Sequence, residues 1–377
     1  MATVLVALDG SEFAEQVLPF AEALAEGGAK LILVQAVLAV MPAQGAQPAE
    51  RQQRVLVADE YLRRLERYFT GKGLAVERRV RYGSAPYQLI DAASELQADL
   101  IVMASHGRSG LERWVLGSVA DRVVRSALCP VLVVRAVAPP LWTGDIPELS
   151  RVVIPLDGSP LAEAALLALS GWYGKLVREV GLVRVVDIDT EAIEAHDVVS
   201  LTEQAQAYLD VVARRLSARG LTVHTEVRAG DAGAEIAAYA AERRADYVLL
   251  SSHGRSGVSR WLLGSVAQRV VEHSPLPVLV VRQILDRQYA GERQPAVDTG
   301  ARCFNCGRPY YGDLNDIAAD ARCLRCDYHL HACGNCVFHD TVRCTLDRSD
   351  ANETIAGARC PKFSFRQAEP ARPENRA

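Results

Sequence analysis

The sequence predicts an α/β protein: two tandem, open, parallel-sheet domains, Rossmann-like in outline, followed by a small metal-stabilised cysteine-rich module. Three observations predict it. The stretch Met103 to Ser118, MASHGRSGLERWVLGS, returns as Leu250 to Ser265, LSSHGRSGVSRWLLGS, displaced by 147 residues. Apolar runs of strand length alternate with helical patterns around both copies. Eight of the nine cysteines crowd between Cys303 and Cys360.

Thr3 to Leu8 (TVLVAL) is rich in β-branched residues and apolar at every position, the pattern of a strand buried on both faces. Asp9-Gly10-Ser11 forms the turn after it. A helical pattern runs from about Glu12 to Glu26 and stops at Gly27-Gly28. Leu31 to Val37 is the second strand. The segment from there to about Glu50 holds Pro42, Gly45 and Pro48 and reads as a mobile loop. Arg51 to Phe69 follows as an amphipathic helix, Leu74 to Val80 as a strand and Pro86 to Leu96 as a helix. The repeated strand–loop–helix comes next, and Val131 to Arg135 closes the unit. Cys129, at the start of that last run, reads as a buried packing thiol.

Ala136 to Ser150 contains Pro139, Pro140 and Pro147 and reads as a linker. The pattern then restarts, VVIPLDGSP echoing VLVALDGSE. Asp157 answers Asp9, Gly230 answers Gly83, Gly254 answers Gly107 and Gly264 answers Gly117, so one domain is duplicated. The second copy differs in its middle, where an acidic stretch from Asp187 to Asp197 replaces the first copy's Pro- and Gln-rich one. From about Gln283 to Arg302 the chain turns polar, a second linker. The expected domains are 1–137, 151–283 and 302–365, with a frayed, charge-rich tail after Lys362.

A net charge of −4 argues against a general binder of nucleic acid or of membrane surfaces. No apolar run reaches the roughly 18 residues of a membrane span. The start, MATVLVALDG, lacks the basic stretch and small-residue cleavage site of a signal peptide, so the expected compartment is the cytoplasm.

A strand, a glycine-bearing loop and a helix together aim a helix N-terminus at an anion, through its orphan N–H groups and its dipole. Ser118 and Ser265 open the two helices, as candidate caps and candidate phosphate donors. His106 and His253 have no visible nucleophile or partner and read as structural. Trp114 and Trp261 read as packing or interface residues. No GxxxxGK[ST] occurs, and no GxGxxG follows a strand, so neither a P-loop nor a dinucleotide fingerprint is present. Nothing lines up as a general base or arginine finger. The expectation is binding without turnover.

The duplicated unit resembles the universal stress protein family over about 280 of the 377 residues. Nucleotide-binding members carry a glycine, two residues, a glycine, nine residues, then glycine with serine or threonine. Gly107 with Gly117-Ser118, and Gly254 with Gly264-Ser265, match the last two parts; Ala104 and Ser251 stand where the first glycine would be. A substitution there is tolerated if φ is negative and strained if it is positive. The resemblance implies an adenine-nucleotide alpha-hydrolase-like fold with five parallel strands per domain, joined through the last strands within one chain or as a homodimer. It implies ATP, or another adenine nucleotide, held by Asp9 and Asp157 on the adenosine side and by the glycine loops on the phosphate side. Arg108 and Arg255 are candidate cations for those phosphates. Asp9 and Asp157 also suit a plain turn or helix-cap role. The competing reading is a nucleotide-independent interaction scaffold, which the missing first glycines favour.

Cys303-x2-Cys306, sixteen residues, then Cys323-x2-Cys326 has the spacing of a four-cysteine zinc ribbon. Cys333-x2-Cys336, Cys344 and Cys360 complete a second set of four. Two tetrahedral thiolate sites, sequential or cross-braced, would hold two Zn2+, with iron the rival metal. His329, His331 and His339 are substitute ligands. Lys and Arg together, and Asp and Glu together, number thirteen each from Gln283 onward. That balance favours a protein partner for the module over a phosphate backbone. The whole reads as a regulator in the stress response whose zinc module supplies the partner contact.

Overall fold

The computed structural model describes residues 1–37, 48–106, 116–135, 146–186, 195–252, 263–282, 298–302 and 309–311. The chain divides into two compact units, Met1–Ile284 and Leu285–Ala377. In the first unit, β1 (Ala2–Leu8), β2 (Ala29–Val37), β3 (Val76–Tyr82), β4 (Leu100–Ala104) and β5 (Val131–Val134) lie in the order β3-β2-β1-β4-β5. The second half repeats this with β6 (Arg151–Pro155), β7 (Glu179–Val186), β8 (Thr222–Ala229), β9 (Tyr247–Ser251) and β10 (Val278–Val281), ordered β8-β7-β6-β9-β10. Pairing inside each half is parallel throughout. The halves join where β5 meets β10 antiparallel, Leu132 opposite Leu279, giving one ten-stranded sheet. The expected union through the last strands is thus met inside the chain.

Helices cover both faces. On one lie α1 (Glu12–Glu15), α2 (Leu18–Glu26), α3 (Pro48–Gly71), α6 (Pro160–Ala168) and α7 (Ala195–Ser217), packed on Val4, Val6, Leu33, Ile154 and Leu182. On the other lie α4 (Ala85–Glu95), α5 (Ser118–Ser126), α8 (Ala232–Glu242) and α9 (Ser265–His273), packed on Leu5, Ile32, Ile101, Val153 and Val248. Alternate residues of one inner strand therefore feed two cores, which is why strands such as β4 and β5 read as unbroken apolar runs. Each fully buried Leu or Val contributes about 1.5–3 kcal/mol relative to exposure.

Several boundaries differ from the sequence expectations. The helix expected over Glu12–Glu26 is two, because Pro19 has no N–H and its ring would strike the carbonyl of Glu15; the chain stops at Glu15 and restarts with Pro19 in the first turn of α2. The helix expected from Arg51 begins at Pro48, a residue suited to a first helical position; the remainder of the expected mobile loop, 38–47, is outside the described residues. The third strand starts at Val76 and runs on to Tyr82. Cys129 precedes β5 and packs against the core, as expected, but is only half-buried. The linker's last residues are pinned: Leu149 is buried and the Ser150 N–H donates to Asp246 Oδ2 at 2.8 Å, as the Thr3 N–H does to Asp99 Oδ2 at 2.9 Å.

In the second unit, β11 (Asp298–Arg302) pairs antiparallel with β12 (Pro309–Tyr311). The end of the expected second linker is therefore strand.

Candidate functional site

In each half the helices leave neighbouring strands toward opposite faces at one point, between β1 and β4 and between β6 and β9. Open α/β sheets bind ligands at the C-terminal strand ends of such a switch point. Asp9 ends β1 there. Its Oδ1 accepts from the Ser11 N–H at 2.9 Å and from the Ser11 hydroxyl at 2.6 Å, while Gly10 takes φ 83°. Asp157 repeats this, Oδ1 accepting from the Ser159 N–H at 2.8 Å with Gly158 at φ 85°. A side chain would be strained at either glycine. The turn role expected of the aspartates is thus present, but the helix caps are the serines: Ser11 Oγ accepts from Ala14 N–H at 3.2 Å and Ser159 Oγ from Ala162 N–H at 3.1 Å. Asp9 and Asp157 are only half-buried, so both face the crevice as well as their turns.

Across the switch point, Ala104 ends β4 and Ser251 ends β9. Neither is among the non-glycine residues with positive φ, which are Gln97, Leu149 and Arg244. Their replacement of glycine therefore costs no backbone strain. The chain returns to this point at Gly117, whose N–H donates to the Ser105 carbonyl at 2.9 Å, and at Gly264, whose N–H donates to the Ser252 carbonyl at 2.8 Å. A Cβ on Gly117 would stand 2.9 Å from that Ser105 oxygen, so glycine is required for helix and strand to meet.

Gly117 and Gly264, not the serines, are the N-caps of α5 and α9, because their extended backbone (φ −61° and −59°) is the conformation a cap takes. Ser118 and Ser265 are the first helical residues and are exposed. Neither helix has a side-chain cap hydrogen bond, in contrast to α1, α6 and α8. Among the described residues, no side chain caps their first-turn N–H groups. Gly107, Arg108, Gly254 and Arg255, together with His253, Trp114 and Trp261, lie outside the described residues. His106 Nδ1 is 3.1 Å from Ser105 Oγ, so the imidazole has a hydroxyl partner that the sequence did not show.

Two tyrosines belong to this neighbourhood and were missed in the sequence. Tyr61 of α3 and Tyr208 of α7 stand 147 residues apart, the repeat displacement, which is the signal that would have found them. Burial first, then the charges of Glu15 and Asp9, pushes the Tyr61 hydroxyl well above its ordinary value. Burial, then Glu163 and Asp157, does the same to Tyr208, whose hydroxyl donates to Glu163 Oε1 at 3.0 Å. Burial keeps both hydroxyls protonated at any physiological pH.

The far ends of α5 and α9 are tied across the junction. Arg282 Nη1 donates to the Arg125 carbonyl at 2.9 Å, and Arg135 Nη1 to the Ser274 carbonyl at 3.4 Å. These arginines too are 147 residues apart. Each places a cation at the negative end of the other half's helix.

Among the described residues, no group of three or more His, Cys, Asp or Glu is placed to hold a metal. Cys303, Cys306, Cys323, Cys326, Cys333, Cys336, Cys344 and Cys360 all lie outside the described residues. No helix among those described is long and apolar enough to cross a membrane.

Sheet order, switch points and uncapped helix starts define an open α/β fold built for ligands at its strand ends. The universal stress protein family model matches residues 1–135 and again 148–282. The chain belongs to that family, in tandem. A universal stress protein of Mycobacterium tuberculosis is 28% identical over 255 residues, covering 62% of this chain and 78% of the relative. One from Methanocaldococcus jannaschii is 32% identical over 139 residues, 35% of this chain and 82% of the relative. The crystal structure of a universal stress protein from Archaeoglobus fulgidus has the same fold, with TM-score 0.59 and 22% identity over 74% of this chain and 98% of that one.

Proposed function

We propose that the chain binds an adenine nucleotide, ATP foremost, at its two switch points, without turning it over, and regulates a stress response through that binding. One observation carries this: in both halves a half-buried aspartate (Asp9, Asp157) stands across the crevice from a glycine-capped helix start (Gly117-Ser118, Gly264-Ser265) with no side-chain cap. The aspartate suits hydroxyl or amino donors of the nucleoside; the helix start suits phosphate. Strain-free Ala104 and Ser251 remove the reason to prefer a nucleotide-independent scaffold. Gly107, Arg108, Gly254 and Arg255 would complete the loops. Denaturing freshly purified protein and identifying what it releases tests the reading: adenine nucleotide is expected, and protein that neither carries nor takes up any refutes it. With no base or phosphate-clamping lysine in view, turnover should stay far below roughly 1 s⁻¹; robust hydrolysis by pure protein would expose a missed catalytic group.

For the second unit the proposal is two zinc ions: Cys303, Cys306, Cys323 and Cys326 on one, Cys333, Cys336, Cys344 and Cys360 on the other, in a module that contacts a protein partner. The antiparallel strands β11 and β12 flank Cys303 and Cys306 in the sequence, which supports the first of these sites. The metal would supply folding energy that so polar a segment lacks.

A further inference from the structure

The two switch points differ chemically, and the difference deepens the nucleotide reading, on which it rests. Ser251 and Ala104 are each 8% exposed, but Ser251 adds a hydroxyl whose oxygen is buried and has no hydrogen-bond partner among the described residues. A buried polar atom of that kind carries an uncompensated desolvation penalty and needs a reason. Its place suggests one. Val152 and Val153 pair with Tyr247 and Val248. That register, continued, sets Ser251 beside Leu156, one residue before Asp157. The next residue, Ser252, accepts from the Gly264 N–H at 2.8 Å. Ser251 thus lies at the end of β9 beside the aspartate turn, one residue before the carbonyl that meets the start of α9, at the strand end where a ligand would lie.

A second, independent difference points the same way. The first turn of α5 carries Asp121, whereas the equivalent residue of α9 is the neutral Gln268. Asp121 already supplies negative charge to that helix start, although Arg125 shares it at 2.7 Å. An incoming phosphate is repelled there and meets no such charge at α9.

We infer that the second half is the tighter nucleotide site, and that the Ser251 hydroxyl bonds a ribose or phosphate oxygen of the ligand that Ala104 has no means to bond. The test is calorimetric titration of the full chain with ATP. Two classes of site are expected. Ser251→Ala should weaken the tighter class about fivefold, the worth of one neutral hydrogen bond, and leave the other unchanged. The reciprocal Ala104→Ser should strengthen the weaker class. Repeating the Ser251→Ala comparison with adenosine assigns the oxygen: a loss that persists marks ribose, and one that vanishes marks phosphate. Equal affinities in the unaltered chain overturn this inference and leave the nucleotide reading standing. So does a Ser251→Ala variant that melts at a different temperature yet binds ATP unchanged, since the hydroxyl would then hold a structural water only. An unaltered chain that binds no ATP overturns both.

Discussion

Gly117 shows how a motif residue can serve structure first. Its missing Cβ lets α5 meet the Ser105 carbonyl, so Gly117→Ala should cost about 1–3 kcal/mol of stability in denaturant unfolding, with or without nucleotide. An alanine variant of unchanged stability would show that the contact relaxes freely. Asp59 is a second residue with a checkable consequence. Its carboxylate accepts from Arg78 Nε at 2.9 Å and Arg63 Nη2 at 2.6 Å, and the Arg78 bond above all holds it below the ordinary carboxylate value. The folded value lies below the unfolded one, so the contribution is full above about pH 4 and fades as pH falls through the folded value. Partial exposure keeps it small. Asp59→Asn should flatten the loss of denaturant midpoint below about pH 4; an equally steep loss would exclude the pair as a cause. At this scale the sequence was read well where a residue type has one use, as with the turn glycine Gly10. It found that Ser118 and Ser265 open their helices but gave them the cap role of Gly117 and Gly264, because a cap and a first helical residue differ only in backbone angles. Tyr61 and Tyr208 were missed because nothing in a helical pattern says which tyrosine will be buried beside a carboxylate of another helix, as Tyr208 is beside Glu163.

Elements were legible because their periods are physical. The inner strands were found from apolar runs, since a two-faced sheet buries them on both sides; β8, an edge strand with no fully buried residue, was not. Boundaries slipped where one local rule overrode the period, as Pro19 does in splitting α1 from α2. The junction was expected only through the family resemblance; no single strand announces that β5 will meet β10. Arg135 and Arg282, which brace it, look like ordinary strand-end charges in the sequence. The half-buried Arg282 should matter more, its bond to Arg125 being the shorter at 2.9 Å. Arg282→Met should lower stability by roughly 1–3 kcal/mol, the range for a bond made by a charged donor. A variant as stable as the unaltered chain would reduce the brace to a surface contact.

The whole molecule joins a sheet with large apolar cores to a polar cysteine-rich segment, so the two units should respond differently to metal removal. Two zinc ions per chain are expected by elemental analysis. A strong chelator should unfold the second unit while Met1–Ile284 keeps its structure, because the cysteine-rich sequence is too poor in apolar residues to build a core without its metal, whereas the sheet has its own. One ion, none, or iron would contradict the paired zinc sites. Cys306→Ser should cost one ion if the sets are sequential and both if they are cross-braced. The central claim concerns the sheet's two switch points, and equilibrium dialysis of the intact chain against ATP tests it most directly. Saturable binding that approaches two ATP per chain is the expected result. No binding at millimolar ATP would contradict it.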